Sequence, residues 1–495
     1  MTQRDEGEDI AAIAKGGRTN FFGFFLRLAA RIPFLFIAGR AAEYGPAALG
    51  RFASALVVIE LSAMLCTLGE KRGLAQRLSE SEDRPANVVA DSLLVALLAS
   101  SVIAVIFWLV PAPLFPGGEY TGIDRLMVIA IPPLALTEIW LAGLAYRFNI
   151  AATVRARAVI EPWTLSIMAA AMIFVAPASG LSIAYIVSIY AAALAALWPF
   201  LREYGLPRDW RPSFAALGRL TLRSLPIAGA DAIEWGTRRI DVLILGFFAA
   251  PATVGIYYVA QQVASLPQKL KTSFEPILGP VITRNLKEGN MAAIGRQVRQ
   301  VGFWIVAAQA GVALALGIPG EAVMGLIGPE FVGGTGALAF LLAAEAVAAT
   351  AVVSEAALIY IARVRNFFLS VATIGLQAVL SIAGILLVER LGLGELFRAA
   401  AVAIALLLAL GFASLVKSLV LSRLLNEPVN NWRWALIWAT APAVILGWAA
   451  TQFLPEWAEL VFGVPAILGV YGFVIWHLGF GPEDRVLFRK ATPGS

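Results

Sequence analysis

Five charges crowd one short apolar run: Asp231, Glu234, Arg238, Arg239 and Asp241 lie between Leu225 and Ala249. Glu234, Arg238 and Asp241 follow steps of four and three, so in a helix they form a single stripe. Arg27 and Arg31 stand four apart in an apolar run near the N-terminus. The run after Asp241 carries Gln261, Ser265, Gln268, Lys269, Thr272 and Glu275 at helical steps, a second polar stripe. A guanidinium group pairs bidentately with phosphate or carboxylate, so Arg27, Arg31, Arg238 and Lys269 are candidate ligands of an anionic substrate. Asp231, Glu234 and Asp241 have two readings. Protonation of Asp231 or Glu234 would release Arg238 and couple binding to pH, or the acids simply pair with arginines along their own helix; the spacing serves both. Further acids in apolar runs are Glu60, Asp91, Glu138, Glu161, Glu345 and Glu355.

No catalytic constellation accompanies these charges. The chain has one cysteine, Cys66, and one histidine, His477, too few for a metal cluster or a Cys–His nucleophile pair with a third partner. Cys66 reads as a small buried apolar residue, and His477, beside Trp476, as an interfacial or packing residue. There is no GxxxxGK[ST] phosphate loop, so the chain is not itself an ATP-driven pump. Its connections lack the His- or Asp-bearing loops of a membrane glycosyltransferase or polymerase. The expectation is a protein that is not an enzyme and uses no cofactor or metal. The net charge of +5 reflects its polar connections rather than a nucleic-acid surface, and residues 1–20 do not read as a secretory signal.

The elements that position these charges follow from composition. The 495 residues are 59% hydrophobic and 14% charged, with a mean hydropathy of +0.79; a soluble domain carries about 25% charged residues. The apolar residues come in blocks of about 20, the length that spans a hydrocarbon core. In lipid such blocks must satisfy their own backbone groups as helices, and the alternation of a barrel strand is absent. The reading is an all-α polytopic membrane protein with about fourteen spans: 21–41, 48–69, 88–110, 125–146, 158–176, 180–201, 225–249, 253–276, 298–318, 335–361, 367–388, 396–420, 434–454 and 459–480.

Lys and Arg collect in alternate connections. The second contains Lys71, Arg72, Arg77 and Arg84, the fourth Arg147, Arg155 and Arg157, and the sixth Arg202, Arg208, Arg211, Arg219 and Arg223. The connections around Pro177, Pro251 and Glu456 have none. By the positive-inside rule the even connections and both termini are cytoplasmic.

The halves of the chain echo one another. RIPFLFIAG from Arg31 and then GPAALGRFA match RRIDVLILG from Arg238 and then APATVGIYY. Arg31 corresponds to Arg238, Gly39 to Gly246, Pro46-Ala47 to Pro251-Ala252, and Gly50 to Gly255. A later echo pairs Glu119-Tyr120 with Glu330-Phe331. The expected organisation is a cytoplasmic tail 1–20, an N-lobe 21–201 of six spans, a linker 202–224, a C-lobe 225–421 of six spans, two further spans within 434–480, and a tail 481–495. Repeats of the same topology imply a pseudo-twofold along the membrane normal, with the substrate between lobes. Arg31 and Arg238 would then line a central cationic cavity with Arg27 and Lys269, partly neutralised by Glu234 and Asp241.

The stretch from Ala42, AEYGPAALGRFASALVVIELSAMLCTLGEKRGLAQRL, resembles the first segment of Wzx-like polysaccharide flippases: a Gly-Pro turn, then Leu-Gly-x-Phe, then a span ending in Leu-Gly. From Leu225, Arg239-x-Asp241 before Leu-Gly and Val-Gly255-x-Tyr257 are similar to that family's seventh and eighth spans, and GLIGPEFVGG from Gly325 is similar to its external loop. The resemblance covers nearly all of residues 20–425. It implies the multidrug/oligosaccharidyl-lipid/polysaccharide exporter superfamily. It also implies an inner-membrane exporter that flips polyprenyl-pyrophosphate-linked oligosaccharide for surface polysaccharide biosynthesis by alternating access. Expected partners are the lipid-linked oligosaccharide, membrane lipids and polysaccharide polymerase or assembly proteins, with no nucleic acid. The alternatives are a lipid II-type cell-wall precursor flippase, a cation-coupled multidrug exporter and a non-transporting membrane scaffold.

Overall fold

A computed structural model of the chain describes residues 32–272 and 282–481; for residues 71, 72, 214, 216, 226, 230, 234, 237, 238 and 267–272 it describes the backbone alone. All regular structure among the described residues is helical. A helical segment 32–40 leads into α1 (Gly45–Cys66), α2 (Glu70–Glu80) and α3 (Pro85–Leu109). There follow α4 (Asp124–Tyr146), α5 (Ile150–Val175) and α6 (Pro177–Tyr204), then α7 (Phe214–Phe248) and α8 (Pro251–Thr272). The remainder is α9 (Met291–Gly317), a short α10 (Gly320–Ile327), α11 (Pro329–Ile361), α12 (Arg363–Arg390), α13 (Glu395–Leu425), α14 (Ala435–Phe453) and α15 (Glu456–Gly479).

Proline starts many of these helices. Pro46, Pro85, Pro177 and Pro329 sit in first turns, where the missing N–H has no intrahelical acceptor to lose. Side chains cap others: Asn149 Oδ1 accepts from Ala152 N at 3.3 Å and Asn290 Oδ1 from Ala293 N at 3.1 Å. At the far end of α13, Asn426 turns left-handed with φ 54°, a conformation Asn tolerates better than most residues.

Eleven of these helices are long and apolar enough to cross a membrane, and they are the expected spans two to six and nine to fourteen. The chain is a multi-pass membrane protein. The seventh and eighth expected spans are the helices α7 and α8, which carry the charges discussed above. The first span lies partly outside the described residues, so fourteen remains the sequence-based count.

Three local expectations change. The fifth span, expected from 158, begins at Ile150 and runs through a wide-turned π-helical stretch, Val154–Ile160. That places Arg157 inside the span rather than in the fourth connection. The second connection contains the helix α2, built on the Arg- and Glu-rich EKRGLAQRLSE. The sixth narrows to 205–213, because α7 starts at Phe214. This last connection is tied to the start of α3: Asn87 Nδ2 donates to Arg208 O at 3.0 Å, and Trp210 Nε1 to Asp91 Oδ1 at 2.9 Å.

The described residues pack as two units, 1–258 and 259–495. This boundary records which helices touch, whereas the lobe boundary expected at 225 records which residues correspond by repeat. In the first unit Leu74, Val89, Ile139, Leu144, Ala156 and Phe200 form one core. In the second, Phe303, Ile305, Val353, Ala439, Ile467 and Tyr471 form another, joining α9 to α11, α14 and α15. Lipid supplies no hydrophobic drive between helices, so close approach of small residues takes its place. The alanines Ala344, Ala348, Ala349 and Ala351 on α11, and Ala405, Ala409 and Ala413 on α13, are buried accordingly. Outward, α3 turns Leu98, Val102, Val105 and Leu109 away from the core.

Candidate functional site

The 35-residue α7 carries most of the predicted site. Asp231 and Asp241 are buried, at 5% and 1% exposure. Asp241 Oδ2 accepts the Tyr257 hydroxyl at 2.7 Å, and its Oδ1 accepts Val242 N at 2.8 Å. Tyr257 is fully buried. The acid thus joins α7 to α8, linking Arg239-x-Asp241 to Val-Gly255-x-Tyr257. Of the remaining predicted residues, Arg238, Glu234 and Lys269 lie on the α7 and α8 backbones with side chains outside the described set. Arg27 and Arg31 lie outside the described residues altogether. The cationic cavity therefore remains an expectation from the sequence.

The start of α7 is held by α2. Glu70, 2% exposed, receives Arg77 at 2.7 Å, Ser92 Oγ at 2.7 Å and Ser224 Oγ at 3.2 Å. Gly69 precedes it in the left-handed region, at φ +71°, and a Cβ there would stand 2.5 Å from the Ile227 side chain. Two features therefore select glycine at this junction. At the other end of α2, Arg223 bridges Glu80 at 3.0 Å, and Gln76 donates to the same carboxylate at 2.6 Å. Hydrogen bonds from Gln76 and Arg223 hold the Glu80 carboxyl below the usual glutamate range.

Two charge clusters went unrecognised in the sequence as clusters. In the first unit, Arg157 reaches Glu138 at 2.5 Å and Glu161 at 2.6 Å. Tyr185 is buried, and its hydroxyl has no hydrogen-bond partner among the described residues. In the second unit Lys417, with a side chain 5% exposed, contacts Glu355 at 3.1 Å and Ser370 Oγ at 3.0 Å. A lysine inside an apolar run was the available signal for Lys417, since an intramembrane cation implies a partner acid. The His477 ring lies 4.2 Å from that of Phe473, tilted by 38°, and meets the Phe473 carbonyl at 2.9 Å. Cys66 is buried at 2% exposure. Both sit in packing roles.

Near the start of α1, Tyr44 donates to Ala169 O at 2.6 Å. Burial and the neighbouring Glu43 push its phenol up to about 12.

The architecture recurs in solved structures. The lipid II flippase MurJ, in an inward closed conformation, matches with a TM-score of 0.70 at 11% identity, covering 94% of this chain and 98% of that one. An inward-facing multidrug resistance MATE family transporter of the MOP superfamily gives 0.66 at 15% identity, covering 81% and 94%. A MOP superfamily transporter from Pyrococcus furiosus gives 0.57 at 13% identity, covering 83% and 96%. A comparison with curated protein sequences finds no match.

The fold is therefore that of the MOP-superfamily membrane transporters. The sequence matches the polysaccharide biosynthesis protein family over residues 44–312, more than half the chain, and the protein belongs to that family. The resemblance to Wzx-like members of the superfamily is borne out.

Proposed function

We propose that this protein is a flippase, not an enzyme, that moves a polyprenyl-pyrophosphate-linked oligosaccharide across the bacterial inner membrane by alternating access. The observation that carries the reading is the conjunction of a polysaccharide biosynthesis family match over 44–312 with a transporter fold. A transporter fold in a polysaccharide biosynthesis family suits the carriage of a polar glycan on a lipid. Arg27, Arg31, Arg238 and Lys269 are the proposed ligands of the pyrophosphate, whose charge suits guanidinium forks. Of the helices α14 and α15, outside the repeat, α15 packs on α9 through Tyr471 against Gly311. They leave Trp438, Ile445, Trp448 and Phe462 exposed, a surface suited to flanking a polyprenyl tail.

The test is reconstitution. Fluorescent polyprenyl-pyrophosphate oligosaccharide is placed in proteoliposomes, and its exposure to an external glycan-cleaving or quenching reagent is followed. Protein-dependent movement supports the reading. Folded protein that moves none of it, and moves lipid II or a cationic drug instead, replaces this reading with one of the alternatives. Folded protein that moves nothing leaves a scaffold role.

A further inference from the structure

Arg51 is the seventh residue of α1, about 9 Å along the axis from its start at 1.5 Å per residue. It is half-buried, and among the described residues it has no hydrogen bond or ion pair. Other arginines of the first unit are spoken for: Arg77 by Glu70, and Arg157 by Glu138 and Glu161. A guanidinium left unspent within a span calls for a partner from outside the chain.

Arg51 lines a cleft whose other polar walls are Tyr44 at the head of α1, Asp124 at the start of α4, and Ser179 and Ser182 in the first turns of α6. The cleft measures about 220 Å³ with its open mouth included, and its enclosed part is the size of a single water. All three helices begin here, at the face away from the Lys- and Arg-rich connections, which the positive-inside rule makes the exterior.

The polar side chains of the wall other than Arg51 are already engaged. Tyr44 donates to Ala169 O. Asp124, 4% exposed, accepts Ser182 Oγ at 2.5 Å and Thr121 N at 2.8 Å. Ser179 Oγ shares a hydrogen bond with Thr121 Oγ1 at 2.6 Å. Asp124 is thus spent on tying the start of α4 to α6, and the N–H donors of Arg51 remain. A guanidinium offers donors alone, so the ligand it selects is an acceptor with negative charge. Its planar fork matches two oxygens of one phosphate or carboxylate. A metal cation would meet the guanidinium and find both Asp124 oxygens taken. The narrow enclosed part admits little beyond those oxygens, so the body of the ligand stays in the open mouth.

We propose that this cleft is an oxyanion site on the outer face of the first unit, where Arg51 holds a phosphate or carboxylate group. Two sources share that chemistry: the phosphate of an outer-leaflet lipid headgroup, and an acidic group on a water-soluble molecule such as a sugar acid. The site adds Arg51 to the charges that the sequence singles out, and it holds whatever the protein carries.

The experiment follows the melting temperature of the full chain, delipidated in a neutral detergent, against inorganic phosphate. Sodium chloride at matched ionic strength is the blank. Wild type should show a saturable rise with phosphate. Arg51→Gln removes no contact within the described protein; it should need about tenfold more phosphate or show no rise, since one charge-assisted pair is lost. Arg155→Gln, at an exposed arginine of the opposite face, should respond as wild type does. Equal responses of wild type and Arg51→Gln, or a wild-type rise no larger than that with chloride, overturn the proposal. If Arg51→Gln fails to fold, Arg51→Lys takes its place: it keeps the charge and loses the fork, and a phosphate response unchanged from wild type overturns the proposal. Phosphatidylcholine nanodiscs then separate the sources. Loss of the phosphate response there assigns the cleft to a lipid headgroup. A response that persists, and is reproduced by glucuronate, assigns it to a soluble acid. None of these readouts uses transport. A phosphate-binding cleft in a protein that moves no lipid-linked oligosaccharide would sink the substrate reading and leave this site standing.

Discussion

The hydroxyl of Tyr257 on α8 donates to the buried carboxylate of Asp241 on α7 at 2.7 Å. The helix with the most charged residues among those described thereby commits one of its acids to a neighbouring helix.

Tyr257→Phe should therefore weaken the protein by about 1–3 kcal/mol, the cost of leaving a buried acceptor short of a donor. Asp241→Asn keeps an oxygen that accepts the same hydroxyl and should cost less than Asp241→Ala. Chemical or thermal unfolding in detergent checks both. Equal stability of Tyr257→Phe and wild type would remove the hydrogen bond from the account of how α7 and α8 stay together.

The Arg157 cluster makes a sharper claim. Removing the guanidinium by Arg157→Ala leaves Glu138 and Glu161 facing one another without their cation; because these side chains are 18–26% exposed, the loss should fall below the about 3–5 kcal/mol of breaking a fully buried pair. The triple variant Arg157→Met, Glu138→Gln, Glu161→Gln removes all three charges and should recover much of that loss. If the triple variant is no more stable than Arg157→Ala, the cluster's role in stability is packing rather than charge pairing.

At the α2–α7 tie the expectation is a pH dependence. Bonds from Gln76 and Arg223 lower the Glu80 carboxyl in the folded protein. A depressed folded value stabilises above the unfolded glutamate pKa of about 4.3. That stabilisation disappears as pH falls through the lower folded value. The difference in melting temperature between wild type and Glu80→Gln should be present at pH 7 and vanish only below about pH 4. A difference that disappears near neutrality would point to another group.

The substrate arginines separate by their surroundings. Arg31 has no acid three or four residues away in its own run, whereas Arg238 has Glu234 and Asp241. If both hold pyrophosphate, Arg31→Ala should abolish export per molecule of inserted protein, and Arg31→Lys should retain part of it because charge survives and the planar fork does not. Normal export by Arg31→Ala would sink the cationic cavity.

Much of the fold was readable because a span announces itself: an apolar block of about 20 residues admits few structures in lipid. The repeat was readable because Pro46-x-x-x-Gly50 and Pro251-x-x-x-Gly255 stand where helices begin and backbones meet, so two residue types with backbone consequences recur in order. The charges were harder. Arg157 looked like a connection residue because it follows Arg155 and lies before an apolar run, yet the helix starts at Ile150 and carries it inward. Lys417 sits alone in an apolar run, and its acid Glu355 lies on another helix, 62 positions earlier in the chain. By spacing Asp241 faces Arg238 on its own helix, while the partner the structure describes is Tyr257 on the next. Spacing along one helix exposes intrahelical pairs; partners on other helices appear only once the helices are packed.

One consequence concerns how the chain is made. Within the first unit, the residues of the first repeat are finished by residues of the second and of the linker before it: Gly50 by Pro251, Gly69 by Ile227, Glu70 by Ser224. The unit itself closes at Tyr258. A chain emerging from its N-terminus folds early segments first where it can, but here the first six spans enter the bilayer with a bare helix groove and part of their hydrogen bonding still open. Assembly of this half must wait for α7 and the first turns of α8 to be inserted. A gene split between the repeats would yield two pieces, the first of which cannot complete its own interior.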